Sequence, residues 1–216
     1  MSPARRTVEL LEKNKPRQER AKRTYEAILS AAAELLLEVG VERISTNLVA
    51  ERAGITVPAL YRYFPNKYSV LNALGAMLMD RQNKVFQAWF ERHLAAGDPE
   101  KLILNVKELL RETYEVTREQ PGGLEIVQAL RAVAPLREVR LESHKLVSNQ
   151  FAEIAAGYLG READDHIRLQ ARLTIEMGYA VIEMALEDES LEPDALMEQG
   201  ASMIQYYWRQ LLGAVA

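Results

Sequence analysis

The chain has 216 residues, 48% of them hydrophobic, with 27 Lys+Arg against 31 Asp+Glu, enough apolar material for a sizeable core or for a small domain joined to a larger one. A disordered or fibrous protein is excluded. There is no cysteine, which removes disulfide frameworks, thiolate zinc sites and cysteine nucleophiles and fits a reducing cytosol.

The N-terminus is polar and basic without an apolar signal core, and no apolar run approaches the ~18 residues of a membrane span. A soluble, cytoplasmic protein with no membrane partner is expected. Charge is unevenly placed: residues 1–70 hold 12 Lys+Arg against 8 Asp+Glu and the rest 15 against 23, so the two parts carry +4 and −8. A basic first third suggests an anionic partner, against the alternative of an ordinary solvated surface.

Residues 1–22 contain Arg5, Arg6, Lys13, Lys15, Arg17, Arg20 and Lys22 with few large apolar side chains. They read as a basic flexible arm. From Thr24, Ile28, Ala32, Leu35 and Val39 recur at helical spacing, and Gly40 stands where a helix C′ residue belongs. Ser45 suits the N-cap of a short second helix through Ala53, with Leu48, Val49 and Ala50 as its apolar positions and Gly54 stopping it. Thr56 caps a third, with Pro58 in the first turn, where proline removes no helical hydrogen bond, and Pro65 closing it near Phe64. Asn66 caps a fourth helix carrying Val70, Leu71, Leu74 and Leu78 toward Leu94.

Beyond Gly97 the pattern is helix after helix: Asp98 to Arg118, Leu124 to Ala134, Leu136 to Tyr158, His166 to Leu186 and Asp194 to Leu212. No segment shows strand alternation flanked by hairpin signals, so the fold class is all-α.

Two short helices joined across Ala53, Gly54 and Ile55 make a helix-turn-helix. With Ala50 at the crossing and Leu60 inward, the outward face of the second is Thr56, Val57, Ala59, Tyr61 and Tyr63. Hydroxyls on that face can donate to phosphate oxygens, while Val57, Pro58 and the Tyr61 ring offer apolar contact to thymine methyls. Lys67 lies in the first turn of a helix, where a cation opposes the macrodipole unless an anion joins it. A phosphate there would supply that anion; a merely solvated Lys67 is the alternative.

The stretch "TNLVAERAGITVPALYRYFPNKYSVLNAL", preceded by "ILSAAAELLLEVG", resembles the DNA-binding domain of TetR-family transcriptional regulators. The resemblance covers Arg23 to Leu74 and rests on Ala50, Ala53-Gly54, Leu60-Tyr61, Tyr63-Phe64 and Asn66-Lys67. It implies a homodimer on a palindromic double-stranded DNA operator, with a DNA-binding domain at 23–68 and a helical effector-binding and dimerisation domain at 69–216. Carried over by residue, it implies that Thr46 and Asn47 approach phosphate and base edge, that Thr56, Val57, Pro58 and Tyr61 form the recognition face, and that Tyr63 and Lys67 grip the backbone. Substitution of Tyr61 or Lys67 is then expected to weaken DNA binding and spare thermal stability. Val57 stands where small or polar residues are frequent in the family, and Tyr68 where an acidic residue usually follows the lysine, so the operator sequence does not transfer. For the arm, minor-groove binding and a solvated tail both stand.

The last two helices carry Leu173, Met177, Ala180, Val181 and Met184, then Leu196, Met203, Ile204, Tyr207 and Leu211, with small residues Gly178, Gly200 and Ala201 allowing close approach. The resemblance implies that roughly 166–186 and 194–212 pair with their mates in the dimer. Phe86, Trp89, Phe90, Tyr114, Phe151 and Met177 are the bulky candidates to line a pocket for a small apolar effector, each also readable as plain core.

An enzyme is not expected: there is no glycine-rich phosphate loop, nucleophile elbow or zincin motif. No cofactor is called for. Asp164, Asp165 and His166 invite a metal reading, but acidic residues at a helix start follow from the macrodipole alone. The sequence thus favours a ligand-responsive repressor. The alternatives are a helical ligand-binding or scaffold dimer without sequence-specific DNA binding, and a protein that binds DNA by charge alone.

Overall fold

The computed structural model describes residue 10, residues 18–94 and residues 100–213. Most of the basic arm, including Arg5, Arg6, Lys13, Lys15 and Arg17, lies outside the described residues, as do Asp98 and Pro99. Among the described residues every regular element is a helix, and two compact units are formed. One comprises residues up to Met79 together with Gln120–Arg140, and the other comprises Asp80–Glu119 together with the chain from Leu141 onward. Residues 120–140 therefore join the unit of the helix-turn-helix, although the sequence boundary expected at 68/69 separates them.

In the first unit α1 (Glu19–Arg43) buries Ile28, Ala32, Leu35 and Leu36 on one face. It begins five residues before Thr24, and Arg20 and Lys22, assigned to the arm, sit in its opening turns, with Lys22 Nζ paired to Glu19 at 2.7 Å. Regular helix geometry breaks at Gly40 (φ 72, ψ 171), and the chain resumes with Ile44 N–H donating to Gly40 O at 3.2 Å. The stop signal is thus obeyed in backbone conformation.

Helix α2 (Thr46–Arg52) starts at Ser45, whose Oγ accepts from Leu48 N at 3.3 Å. It ends in a Schellman turn: Ile55 N–H donates to Ala50 O (3.0 Å), Gly54 N–H donates to Glu51 O (3.1 Å), and Gly54 adopts φ 65. The left-handed residue that makes this turn carries no Cβ, so the turn is unstrained. Helix α3 (Val57–Leu60) is capped by Thr56 Oγ1, which accepts from Ala59 N at 3.4 Å, with Pro58 in the first turn. It is shorter than the expected run to Phe64, but further turns continue it, with Tyr63 and Phe64 N–H both donating to Leu60 O. Leu60 and Phe64 are fully buried beneath it.

Helix α4 (Lys67–Leu94) opens on a reciprocal cap: Ser69 N–H donates to Asn66 Oδ1 at 3.0 Å and Asn66 N–H donates to Ser69 Oγ at 3.3 Å. Helix α7 (Gly123–Ala132) packs on α1, after the second unit's α5 (Glu100–Leu104) and α6 (Val106–Arg118). At Gly122 (φ 66), the N-cap of α7, an added Cβ would stand 2.9 Å from the carbonyl oxygen of Ala33.

The second unit holds the remainder of α4, α5, α6, α8 (Arg137–Tyr158), α9 (Asp165–Glu187) and α10 (Pro193–Gly213) around Trp89, Leu110, Phe151, Ile167, Ile204 and Trp208. The single helix expected from Asp98 to Arg118 is interrupted at Asn105, whose Nδ2 turns back to Lys101 O (2.6 Å) while its carbonyl accepts from Trp89 Nε1 (3.0 Å). A tertiary bond to a buried indole thus fixes the break. Helices α9 and α10 meet at Gly200, where a Cβ would stand 2.8 Å from Val181 Cγ2.

Because Gly122 combines a left-handed backbone with contact to backbone rather than to a yielding side chain, Gly122→Ala is expected to cost about 1–3 kcal/mol. Urea unfolding measures it, and an unchanged midpoint would mean that α7 shifts freely on α1.

Candidate nucleic-acid interface and ligand cavity

The surface presented by α2 and α3 is built by three devices. The caps at Ser45 and Thr56 set where each helix begins, and the Schellman turn sets the angle between them. The third is a direct bond: the Tyr61 hydroxyl lies 3.1 Å from Thr46 Oγ1, tying the end of α3 to the first residue of α2. Asn47, Thr56, Pro58 and Tyr61 are exposed, Thr46 is half-buried, and Val57 and Tyr63 pack partly into the core. Tyr63 meets Tyr25 edge-on, with centroids 6.4 Å apart.

Two exposed side chains escaped the sequence reading. Of the three apolar positions of α2, Val49 and Ala50 are buried while Leu48 stays 37% exposed. A helical period cannot turn three successive residues inward, which was the available signal. Arg62, between two tyrosines, is exposed beside Tyr61. Arg52 is committed to the frame: it bonds Glu38 through both guanidinium ends (2.8 and 2.6 Å) and Glu34 at 3.2 Å, fastening α2 to α1. That hydrogen bonding holds the Glu38 carboxyl below the usual carboxylate range.

The reading of Lys67 changes most. Its Nζ donates to the carbonyl oxygens of Val41 (3.3 Å), Glu42 (3.3 Å) and Ile44 (3.2 Å), all at the close of α1. An ammonium has three protons, and here each has an acceptor. The cation that seemed misplaced at the N-terminus of α4 sits at the C-terminal, negative end of α1, so its unfavourable dipole position is offset within the domain. It also lies 5.5 Å from the Tyr68 ring centroid. A side chain so placed can add field to a phosphate site, but its bonds serve the fold.

In the second unit a cavity of about 60 Å³ lies between α4, α6, α8, α9 and α10. Phe86, Trp89 and Phe151 line it together with Gln82, Leu110, Ile175 and Tyr179. The other three aromatic or methionine candidates are elsewhere. Phe90 stacks against Phe86 outside the lining (6.3 Å), Tyr114 is buried with the Arg118 guanidinium 5.5 Å over its ring, and Met177 is on the α9 surface, 36% exposed. The volume is about that of two waters in the liquid, so a drug-sized molecule would require the walls to move.

One wall continues through Tyr179 into a partly buried polar cluster. His144 stacks on Tyr179 with centroids 4.0 Å apart and its Nδ1 lies 3.1 Å from Glu176. Burial, reinforced by Glu176 and Glu183, pushes the Tyr179 phenol well above its ordinary range. On the surface of α9 lie Leu169, Leu173, Met177 and Met184, and on α10 Met203, Tyr206 and Tyr207, all exposed. Asp164 is the N-cap of α9, accepting from Ile167 N at 2.8 Å, which accounts for the acidic start of that helix. Among the described residues no group of three or more His, Cys, Asp or Glu is placed to hold a metal ion, and no helix is long and apolar enough to cross a membrane.

Comparison with known proteins bears on both units. Residues 28–74 match the sequence profile of the bacterial regulatory proteins, tetR family. Over 54 residues the chain is 44% identical to tetracycline repressor protein class C of Escherichia coli, covering 25% of each protein. Over 58 residues it is 43% identical to the class G repressor of Vibrio anguillarum, covering 26% of this chain and 28% of that protein. The chain thus matches these curated relatives over about a quarter of their length. A TetR-family transcriptional regulator from Streptomyces coelicolor aligns over 89% of this chain and 99% of its own, with 26% identity and a TM-score of 0.57. A regulator structure from Syntrophomonas wolfei aligns over 87% and 95%, with 16% identity and a TM-score of 0.70, a likeness of fold.

The geometry of Lys67 predicts a result opposite to the sequence expectation. Lys67→Met should lower the stability of the first unit by about 1–2 kcal/mol, since charge-assisted bonds to three carbonyls are lost. Differential scanning calorimetry checks this; an unaltered melting temperature would return Lys67 to the role of a surface cation.

Proposed function

Since the chain belongs, through residues 28–74, to the tetR family of bacterial regulatory proteins, we propose that it is a ligand-responsive transcriptional repressor. It binds a palindromic double-stranded DNA operator as a homodimer and is released by a small, apolar effector. The observation that carries this reading is the fixed polar surface of α2 and α3, in which a Schellman turn and the Tyr61–Thr46 bond hold Asn47, Thr56, Pro58 and Tyr61 as one exposed face. In the bound state α3 enters the major groove, Asn47 and Tyr61 reach base edges, and Thr46 and Thr56 meet phosphates. Lys67 contributes by positioning, since it holds the end of α1 against the start of α4.

The apolar stripes of α9 and α10 form the dimer interface, and burying them twice in a symmetric contact removes both from water. The cavity bounded by Phe86, Trp89 and Phe151 is the effector site. Release follows from linkage: an effector that binds better to the conformation with mis-spaced recognition helices shifts the population away from the operator by as much as its affinities for the two states differ.

Selection of bound duplexes from a random pool at two salt concentrations tests the reading. Enrichment of a palindrome is expected, with affinity falling steeply as salt rises. A retained but random pool would leave binding by charge alone, and no retained DNA would leave a ligand-binding or scaffold dimer. On the selected operator Tyr61→Ala is expected to weaken binding by about 1–3 kcal/mol with the dimer intact by sedimentation; wild-type affinity would move the recognition face elsewhere.

A further inference from the structure

The cavity of the second unit contains one polar requirement that the protein leaves unmet. Gln82 is 2% exposed and lines the cavity, and its Oε1 is buried without a hydrogen-bond partner. The orientation of its amide is settled by the neighbouring hydroxyl. Thr117 Oγ1 donates to the Thr113 carbonyl at 2.7 Å, so toward Gln82, 2.8 Å away, it can only accept. The nitrogen of Gln82 therefore faces Thr117, which stands outside the cavity lining, and the oxygen is what remains for the cavity.

Two other polar groups of the wall, on Trp89 and Thr174, are engaged. Trp89 Nε1 donates to Asn105 O, and Thr174 Oγ1 donates to Gln170 O while accepting from Trp208 Nε1. No Lys, Arg, His, Asp or Glu lines the space. A buried acceptor without a donor costs about 1–3 kcal/mol, and a site that keeps one among aromatic and aliphatic walls suits a ligand that brings the donor.

We infer that this cavity is selective for neutral, largely apolar molecules that carry one hydrogen-bond donor, a hydroxyl or N–H, directed at Gln82 Oε1. This rests on reading the cavity as the effector site and adds the chemistry of the effector. Carboxylates are disfavoured because they offer only acceptors to an acceptor, with no cation in the wall to compensate. Purely apolar molecules enter but leave Gln82 unsatisfied, so they bind more weakly than a donor-bearing molecule of the same shape.

The test is calorimetric titration of the full chain with phenol, toluene and benzoate, which share a ring and differ in the group presented. For the wild type, phenol is expected to bind at least as tightly as toluene although its hydroxyl costs more to remove from water, and benzoate more weakly than either. In Gln82→Met, which conserves volume and removes the acceptor, the affinity ratio of phenol to toluene is expected to fall about tenfold. A ratio within twofold of wild type, tighter binding of benzoate than of phenol, or no binding of phenol overturns the inference. If the variant fails to fold, toluene binding the wild type more tightly than phenol overturns it equally. The titration contains no DNA, so failure of the operator reading in the duplex selection and failure of this one are separate results.

Discussion

Three carbonyl oxygens at the close of α1 and one ammonium at the start of α4 hold the helix-turn-helix between them. Helix α1 ends awkwardly: Gly40 breaks its geometry, and the chain must turn through Val41 to Ile44 before Ser45 can cap α2. The carbonyls of that turn point away from further helix and need donors. Lys67 supplies them across 23 to 26 residues, so the entry to α2 and the exit from α3 are fixed relative to the same residue. The Asn66–Ser69 cap orients Lys67, and Phe64 and Leu60 lie buried beneath α3. Remove the ammonium and the caps remain, but the turn they depend on loses its tether.

Local features of this fold were legible in the sequence because their causes are local. Ser45, Thr56 and Asn66 cap their own helices within three residues, Gly54 stops α2, and Pro58 is tolerated because it precedes the first helical hydrogen bond it could have broken. The long-range pairings were not legible. Nothing near Lys67 names Val41 as its partner, so it reads as a phosphate or solvent ligand, and nothing near Arg52 names Glu34 and Glu38. Asn105 is similar, an unremarkable helical residue until the indole of Trp89 claims its carbonyl. Of the bulky candidates, Phe86, Trp89 and Phe151 line one space while Phe90 and Tyr114 do not, and size alone could not separate them, since bulk does not say which way a helix turns its face. Gln82 was overlooked for the converse reason: its importance lies in a bond it lacks.

The two units satisfy their polar groups differently. In the first, buried polar atoms close on one another through caps and the Lys67 tether. In the second, the His144, Glu176 and Tyr179 cluster and the Gln82–Thr117–Thr113 chain run between helices far apart in sequence. An amide held at one end and open at the other has its direction set in advance, which is what the proposed selectivity of the cavity requires.

The Arg52 fork has a consequence for how such a protein diversifies. Residues that hold the frame of the reading surface, Ser45, Arg52, Asn66, Lys67 and Ser69 among them, are bound to backbone or to α1, so exchanging one disturbs the turn or the packing of α2. Asn47 and Pro58 have no part in these ties and face outward. On the proposed reading of this face as the DNA-contacting surface, drift in preference is channelled into a few positions, and a lineage can change the contacts it makes while inheriting the scaffold unaltered.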